Sequence, residues 1–120
     1  RDYVLAGYLF PDTYEFDINA TPEEIIRTFL RNTDAKLYEE YYVRTMALGM
    51  TMDEVITLAS LIQMETNNAA DMMLVSSVFH NRLASSDESL HYFGSDATIN
   101  YLRELRGLEP SLVECRRPRY

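Results

Sequence analysis

The sequence is short of several residue types on which protein chemistry often depends. A single cysteine, Cys115, occurs in its 120 residues, which excludes an internal disulfide and a metal site of clustered cysteines. His80 and His91 have no carboxylate or cysteine at metal-binding spacing, so we expect neither to bind a metal. Lysine occurs once, at Lys36. No apolar run approaches the roughly 20 residues of a membrane-spanning helix.

Positive charge is also scarce. Eleven basic residues stand against 19 acidic ones, for a formal net charge of -8. That balance argues against nucleic-acid binding, because such binding depends mainly on neutralising phosphates. The C-terminal RRPRY is a small basic patch, which we interpret as a local salt-bridging or partner surface. With 47% hydrophobic and 25% charged residues, the chain suits one domain with a modest core.

Two Thr-x-x-Glu patterns mark the starts of helices. Thr21 with Glu24, and Thr51 with Glu54, each have the signature of a capping box. Pro22 suits the first helical position after Thr21. The first of these helices is predicted to bury a stripe of four apolar residues: Ile25, Ile26, Phe29 and Leu30.

Turn signals and caps predict three more helices. DAKLYEEYYVRTMAL predicts a helix that stops at Gly49. Asn68 is a candidate cap for a helix through ADMMLVSSVFHNRL, and Ser95 or Asp96 for a shorter one near SDATINY.

The N-terminal segment is aromatic and its apolar residues partly alternate. YVLAGYLFPDTYEF therefore predicts extended structure, interrupted by a turn at Pro11-Asp12. Together with the helices, this indicates a mainly α fold (α+β) with a short extended element at the N-terminus.

Glu65 occupies an unusual position for an acid. It lies near the end of the apolar run TLASLIQMET, and the residues seven, four and three positions earlier are Leu58, Leu61 and Ile62. The carboxylate is therefore predicted on the apolar face, at a helix end whose dipole disfavours negative charge. Partial desolvation there would favour the protonated form that a general acid needs. A solvated glutamate at a helix end is the commoner alternative.

The segment GYLFPDTYEF, residues 7–16 and called the aromatic turn below, has two interpretations. Its rings can pack into the core, which composition alone favours, or they can stack on sugar rings. In the second case the candidate substrate-binding residues are Tyr8, Phe10, Asp12, Thr13 and Tyr14.

Two other groups of polar residues are weaker candidates for substrate binding. Ser95, Asp96 and Thr98 look like a helix cap and loop, and they could also line a polar groove. Arg82 is expected to form a salt bridge, with a role in orienting Glu65 as the alternative.

Four stretches in this order resemble one family: GYLFPDTYEF, LASLIQMET, SSVFHNRL and SDATINY. Together they are similar to the catalytic domain of the MltG (YceG-like) endolytic murein transglycosylases, over essentially the whole chain. The resemblance implies a lysozyme-like, mainly helical module that cleaves peptidoglycan strands internally between N-acetylmuramic acid and N-acetylglucosamine, leaving 1,6-anhydromuramic ends. The glutamate before threonine in the ET pair is then the single catalytic acid and base, which is Glu65 here.

The chain departs from the family pattern in two respects. Many members carry a glutamate where this chain has Gln63, which points about 200° around the helix from Glu65. Members also continue past the matched region. Residues 1–120 are therefore interpreted as a partial YceG-like catalytic domain that lacks an N-terminal anchor with a LysM-like region and the C-terminal part of the domain. Such a fragment is expected to be inactive alone and to self-associate.

The resemblance also bears on cofactors, partners and location. The family has carried an aminodeoxychorismate lyase label, which requires pyridoxal phosphate on a lysine. Lys36 lies in a charged helical stretch without a phosphate-binding loop, so we expect no cofactor. The implied partners are glycan strands and cell-wall synthesis proteins, with the parent anchored in the cytoplasmic membrane and this domain on its outer, cell-wall face. A non-catalytic glycan-binding or scaffold module is the alternative function.

Overall fold

The computed structural model describes residues 4–87 and 93–107, and its regular elements there are helices. In chain order they are α1 (Pro22–Lys36), α2 (Glu39–Ala47), α3 (Met52–Glu65), α4 (Ala69–Ala84) and α5 (Asp96–Leu105). No β-strand forms within these residues. The predicted mainly α fold is confirmed, whereas the N-terminal segment expected to be extended forms no strand. His91, Cys115 and the RRPRY patch lie outside the described residues.

Both predicted capping boxes form. The Thr21 N–H donates to Glu24 Oε2 at 2.8 Å, and the Glu24 N–H donates back to Thr21 Oγ1 at 3.3 Å. Thr51 and Glu54 make the same pair of bonds, at 2.8 and 3.2 Å. The backbone N–H of each threonine, and then its hydroxyl, lowers the pKa of the paired glutamate. Local sequence therefore determines where α1 and α3 begin.

The remaining predicted caps also form. Asn68 accepts a hydrogen bond from the Ala70 N–H at 2.9 Å and starts α4. Of the two candidates for α5, Ser95 is the cap, since its hydroxyl accepts from the Ala97 N–H at 3.3 Å.

The second predicted helix begins later than its sequence suggests. α1 continues through Asp34 to Lys36, and the chain then leaves the helix at Leu37, where φ is -86° and ψ is 85°. α2 starts after Tyr38, which offers no side-chain cap. The break involves no proline or glycine, so nothing in the local pattern signals it. Gly49 ends this helix as predicted, with φ +67° and open space around its α-carbon.

Contacts divide the chain into two compact units, Arg1–Thr57 and Leu58–Tyr120, with the boundary inside α3. In the first unit Gly7 approaches α3 closely: a Cβ added there would lie 2.8 Å from Ile56 Cγ2. In the second, Leu58 and Phe79 are buried. Phe79 packs on Phe93 with ring centroids 5.0 Å apart.

Burial is less complete than the sequence predicts. The stripe on α1 was expected to be buried, but Ile26 is 41% exposed and the other three members are only partly covered. In the described part of the chain no single helix is long and apolar enough to cross a membrane. The pair α2 and α3, with a bend of 94° between them, would be long and apolar enough if the two helices are counted together.

Candidate active site

The aromatic turn is held against α1 by a buried threonine. Thr33 is 7% exposed, and its hydroxyl accepts a hydrogen bond from the Phe10 N–H at 3.1 Å. The same hydroxyl lies within donating distance of two carbonyl oxygens, those of Tyr8 and Phe29. One side chain on the helix thus satisfies two backbone groups of a segment that has no strand partner.

A second helix residue, Asn32, fastens the middle of the turn. Its Nδ2 donates to Asp12 Oδ2 at 3.1 Å and to the Tyr14 hydroxyl oxygen at 2.8 Å. The Tyr14 hydroxyl in turn donates to the Phe10 carbonyl oxygen at 2.6 Å. Asp12 also accepts from the Thr13 N–H at 2.9 Å. The polar atoms of Asp12 and Tyr14 are therefore engaged within the chain.

Charge at this position is balanced by the only lysine. Lys36 Nζ lies 3.9 Å from Asp12 Oδ2 and 5.3 Å from the centre of the Phe10 ring. The Thr13 N–H, then the Asn32 amide and more weakly Lys36 lower the pKa of Asp12. The Asp12 carboxylate is thus held in its charged form as a structural anchor of the turn.

The rings of the turn form an aromatic cluster with α1. Tyr14 lies against Phe29, with centroids 4.2 Å apart, and stacks with Phe16 at 6.0 Å and an interplanar angle of 17°. Phe10 is 37% exposed and Phe16 is 40% exposed. Tyr8 is half-buried and donates to Asp53 Oδ1 at 3.2 Å. The ring surface open to a ligand therefore belongs mainly to Phe10 and Phe16.

Glu65 is the last residue of α3, as predicted, but its surroundings differ from the prediction. Its side chain is exposed, so the partial desolvation expected from the apolar stripe is absent in this structure. Within residues 4–87 and 93–107 its carboxylate makes no hydrogen bond or ion pair. A short link follows, in which the Asn68 N–H donates to Thr66 Oγ1 at 3.1 Å. The acid is thus accessible at a fixed helix end.

A shallow groove runs between α3 and α4 in the second unit, with a volume of about 730 Å³. Its lining is mostly apolar and includes Ala59, Ile62 and Met72, with Gln63 and His80 among its polar members. Gln63 lines this groove and Glu65 does not, in agreement with the predicted divergence of their side chains around the helix.

Arg82 lies in the second unit, where it contacts the segment before α5. Its guanidinium donates to the Phe93 carbonyl oxygen. That bond and the Phe79–Phe93 ring pair hold the chain just ahead of Ser95, which is 6% exposed. Asp96 and Thr98 follow in the first turn of α5 and are partly exposed. The bond from Arg82 to Phe93 therefore helps to position the start of α5.

The candidate residues thus fall into two groups. The first unit contains the aromatic turn with Tyr8, Phe10, Asp12, Thr13 and Tyr14, and the second contains Glu65, Arg82, Ser95, Asp96 and Thr98. Sequence reasoning missed Asn32 and Thr33. The signal for them was weak: two polar residues beside the apolar stripe of α1, one turn before Lys36. In the described residues no cluster of His, Cys, Asp and Glu has the geometry of a metal site.

Residues 2–114 match the YceG-like family. The chain belongs to this family. The four sequence stretches all lie within the matched residues, and so does Glu65 at the end of α3.

Two relatives share this region. The endolytic murein transglycosylase of Streptococcus pneumoniae serotype 2 (strain D39) is 36% identical over 112 residues, which is 93% of this chain and 19% of that protein. The endolytic murein transglycosylase of Bacillus subtilis (strain 168) is 40% identical over 81 residues, or 66% of this chain and 22% of that protein. The chain spans about a fifth of the length of these two relatives. No solved structure matches it.

Proposed function

We propose that the protein containing this chain is an endolytic peptidoglycan lytic transglycosylase. It cleaves between N-acetylmuramic acid and N-acetylglucosamine and leaves 1,6-anhydromuramic ends. The observation that carries this proposal is the 36% identity, over 93% of the chain, to a protein named endolytic murein transglycosylase. The region of similarity includes the helix end where Glu65 is exposed.

Glu65 performs both proton transfers in the proposed mechanism. Its protonated carboxyl donates to the glycosidic oxygen, and the bond from that oxygen to C1 of the muramic residue breaks. The muramic C6 hydroxyl attacks C1, and the Glu65 carboxylate accepts the proton of that hydroxyl. The product is the 1,6-anhydro ring, and no water is consumed. A second carboxylate, as used by hydrolytic glycosidases, is not required.

The accessible position of Glu65 suits a substrate that approaches from outside. The carboxyl has no competing partner among the described residues, so a glycosidic oxygen can take that place. Bound glycan, with parts of the protein beyond this chain, would exclude water around it and strengthen the proton transfer. The Glu65 carboxyl would therefore become desolvated only in the complex with glycan.

The aromatic turn serves as the sugar-binding element of this proposal. Lys36 lies over one face of the Phe10 ring. The ring surfaces of Phe10 and Phe16 that remain exposed are suited to stacking on pyranose rings. Because hydrogen bonds hold the backbone between the two rings, binding a sugar would require little additional ordering of this segment. We extend the proposal to a lysozyme-like catalytic module that acts at the outer face of a cytoplasmic membrane.

One assay separates this proposal from a non-catalytic glycan-binding or scaffold module. Intact parent protein is incubated with muropeptide strands, and the products are analysed by mass spectrometry. Internal cuts with anhydromuramic ends support the transglycosylase. Binding to the strands with no such ends, in protein that is folded, contradicts it and favours the binding module.

A further inference from the structure

Both N–H groups of the Asn32 amide donate to the aromatic turn. The amide has two N–H hydrogens, and its Nδ2 has two acceptors, Asp12 Oδ2 at 3.1 Å and the Tyr14 hydroxyl at 2.8 Å. Both bonds cross from α1 to a segment 18–20 residues earlier in the chain. The side chain is only partly exposed.

The two groups that accept from Asn32, Asp12 and the Tyr14 hydroxyl, are each also bonded to the backbone of the turn. The Tyr14 hydroxyl donates to the Phe10 carbonyl oxygen at 2.6 Å, which ties the two ends of the Pro11-Asp12 turn together. Asp12 accepts from the Thr13 N–H at 2.9 Å, so the same amide also orients the tip. Two linked chains of hydrogen bonds therefore run from Asn32 to the backbone of the turn.

The rings that the proposed function assigns to sugar binding depend on these chains. The carbonyl that accepts from Tyr14 belongs to Phe10 itself, and the Tyr14 ring stacks on Phe16 at 6.0 Å. We propose that Asn32 is a positioning residue for glycan binding, which sets the orientation of Phe10 and Phe16 through Tyr14 and Asp12. This inference rests on the proposed function of the turn.

The test uses the intact protein and two variants of nearly equal shape. N32L removes both donors and keeps the branched arrangement of side-chain heavy atoms, so the dissociation constant for purified glycan strands should rise about tenfold. Turnover at saturating strands should stay close to that of the parent, because Glu65 is untouched. Thr28→Ala is the matched control on α1, since among the described residues that hydroxyl bonds only to the Glu24 carbonyl oxygen of its own helix.

A second variant tests the hydrogen bonds through the pH dependence of glycan binding, which a purely packing role of Asn32 would not change. N32D keeps the shape but places a carboxylate against Asp12, with Lys36 and the Tyr14 hydroxyl as the other polar groups there. Binding by N32D should be weak at neutral pH and recover as the pH falls to about 4, where one proton can be shared between the two carboxylates. N32L should show no such recovery.

The outcomes separate this inference from the proposed function. N32L binding as tightly as the parent, or N32L and Thr28→Ala weakening binding equally, would overturn the role of Asn32. Parent protein that makes no anhydro product while N32L still weakens binding would overturn the transglycosylase and leave the positioning role intact. If N32L does not fold, Tyr14→Phe decides, since it keeps the ring and breaks the same chain, and unchanged binding would refute the inference.

Discussion

The two groups of candidate residues, one in each compact unit, differ in how their side chains are held. The aromatic turn is fixed to α1 by Thr33, Asn32 and Lys36, which bond to its backbone and to Asp12 and Tyr14. Glu65 is exposed and makes no side-chain bond among the described residues. A surface that binds sugars gains from being rigid before the ligand arrives. An acid that must give and take a proton needs an open position beside the substrate.

Glu65→Gln in the intact protein should produce the largest effect on this comparison. The swap is nearly isosteric and removes the transferable proton, so formation of anhydromuramic ends should fall roughly 10²–10⁴-fold. Strand binding, which the proposed function assigns to the aromatic turn, should stay within about twofold of the parent value. Retention of more than half of the cleavage rate would show that another group is the acid.

Thr33→Val should affect the turn and leave the α4 region unchanged. The valine is isosteric but cannot accept from the Phe10 N–H or donate to the Tyr8 carbonyl, so two backbone groups lose their partner. Loss of such bonds at a buried site costs about 1–3 kcal/mol. Hydrogen exchange should therefore accelerate in peptides from residues 7–16 and not in peptides from α4.

Thr28→Val is the control for that experiment, because it removes a hydroxyl of α1 that does not touch the turn. Equal acceleration in both variants would mean that α1 as a whole, rather than the Thr33 hydroxyl, protects the aromatic turn.

Acid should loosen the helix starts of the first unit. The pKa values of Glu24 and Glu54 are lowered in the folded chain by the N–H groups of Thr21 and Thr51. Their stabilisation is therefore complete above the unfolded value of about 4.3 and is lost as the pH falls through the folded pKa. The melting temperature of the parent should exceed that of an E24Q and E54Q double variant at neutral pH, and the gap should close as the pH falls through the lowered pKa values of the two glutamates. A gap that is independent of pH would contradict the charge-based account.

Gln63→Glu should have the smallest effect. Gln63 lines the α3–α4 groove and Glu65 does not, so the new carboxylate is added on another side of the helix. The Gln63 side chain is also exposed, and the added charge stays solvated. We expect the cleavage rate to change less than threefold. A tenfold gain would show that this position assists the acid.

Sequence predicted the features of this chain that depend on neighbouring residues. The caps at Thr21, Thr51 and Asn68 act over two or three positions, and all of them form where predicted. The role of Asn32 depends on a segment that returns from 18–20 residues away, and no local pattern encodes that return. The apolar stripe favoured a partly desolvated Glu65 over the solvated alternative, which is the one that the structure has, for a related reason. An apolar stripe shows which face a residue shares, but burial depends on what packs against that face.

The break at Leu37–Tyr38 shows the same limit for helices. Residues on both sides form helices readily, so the pattern DAKLYEEYYVRTMAL predicts one element. The structure has two, and the turn between them carries neither glycine nor proline. Helix propensity alone therefore does not locate this boundary.

The contrast between Gly7 and Gly49 has a consequence for how freely this chain can vary. Both have positive φ, of +88° and +67°. At position 7 any side chain would also meet Ile56, whose Cγ2 would be 2.8 Å from the new Cβ, whereas position 49 opens onto empty space. Among sequences that keep this fold, position 7 should remain glycine without exception, while asparagine should recur at position 49 because it tolerates that backbone conformation. The first position of the aromatic turn should thus tolerate almost no substitution during evolution, whereas the position at the end of α2 should vary.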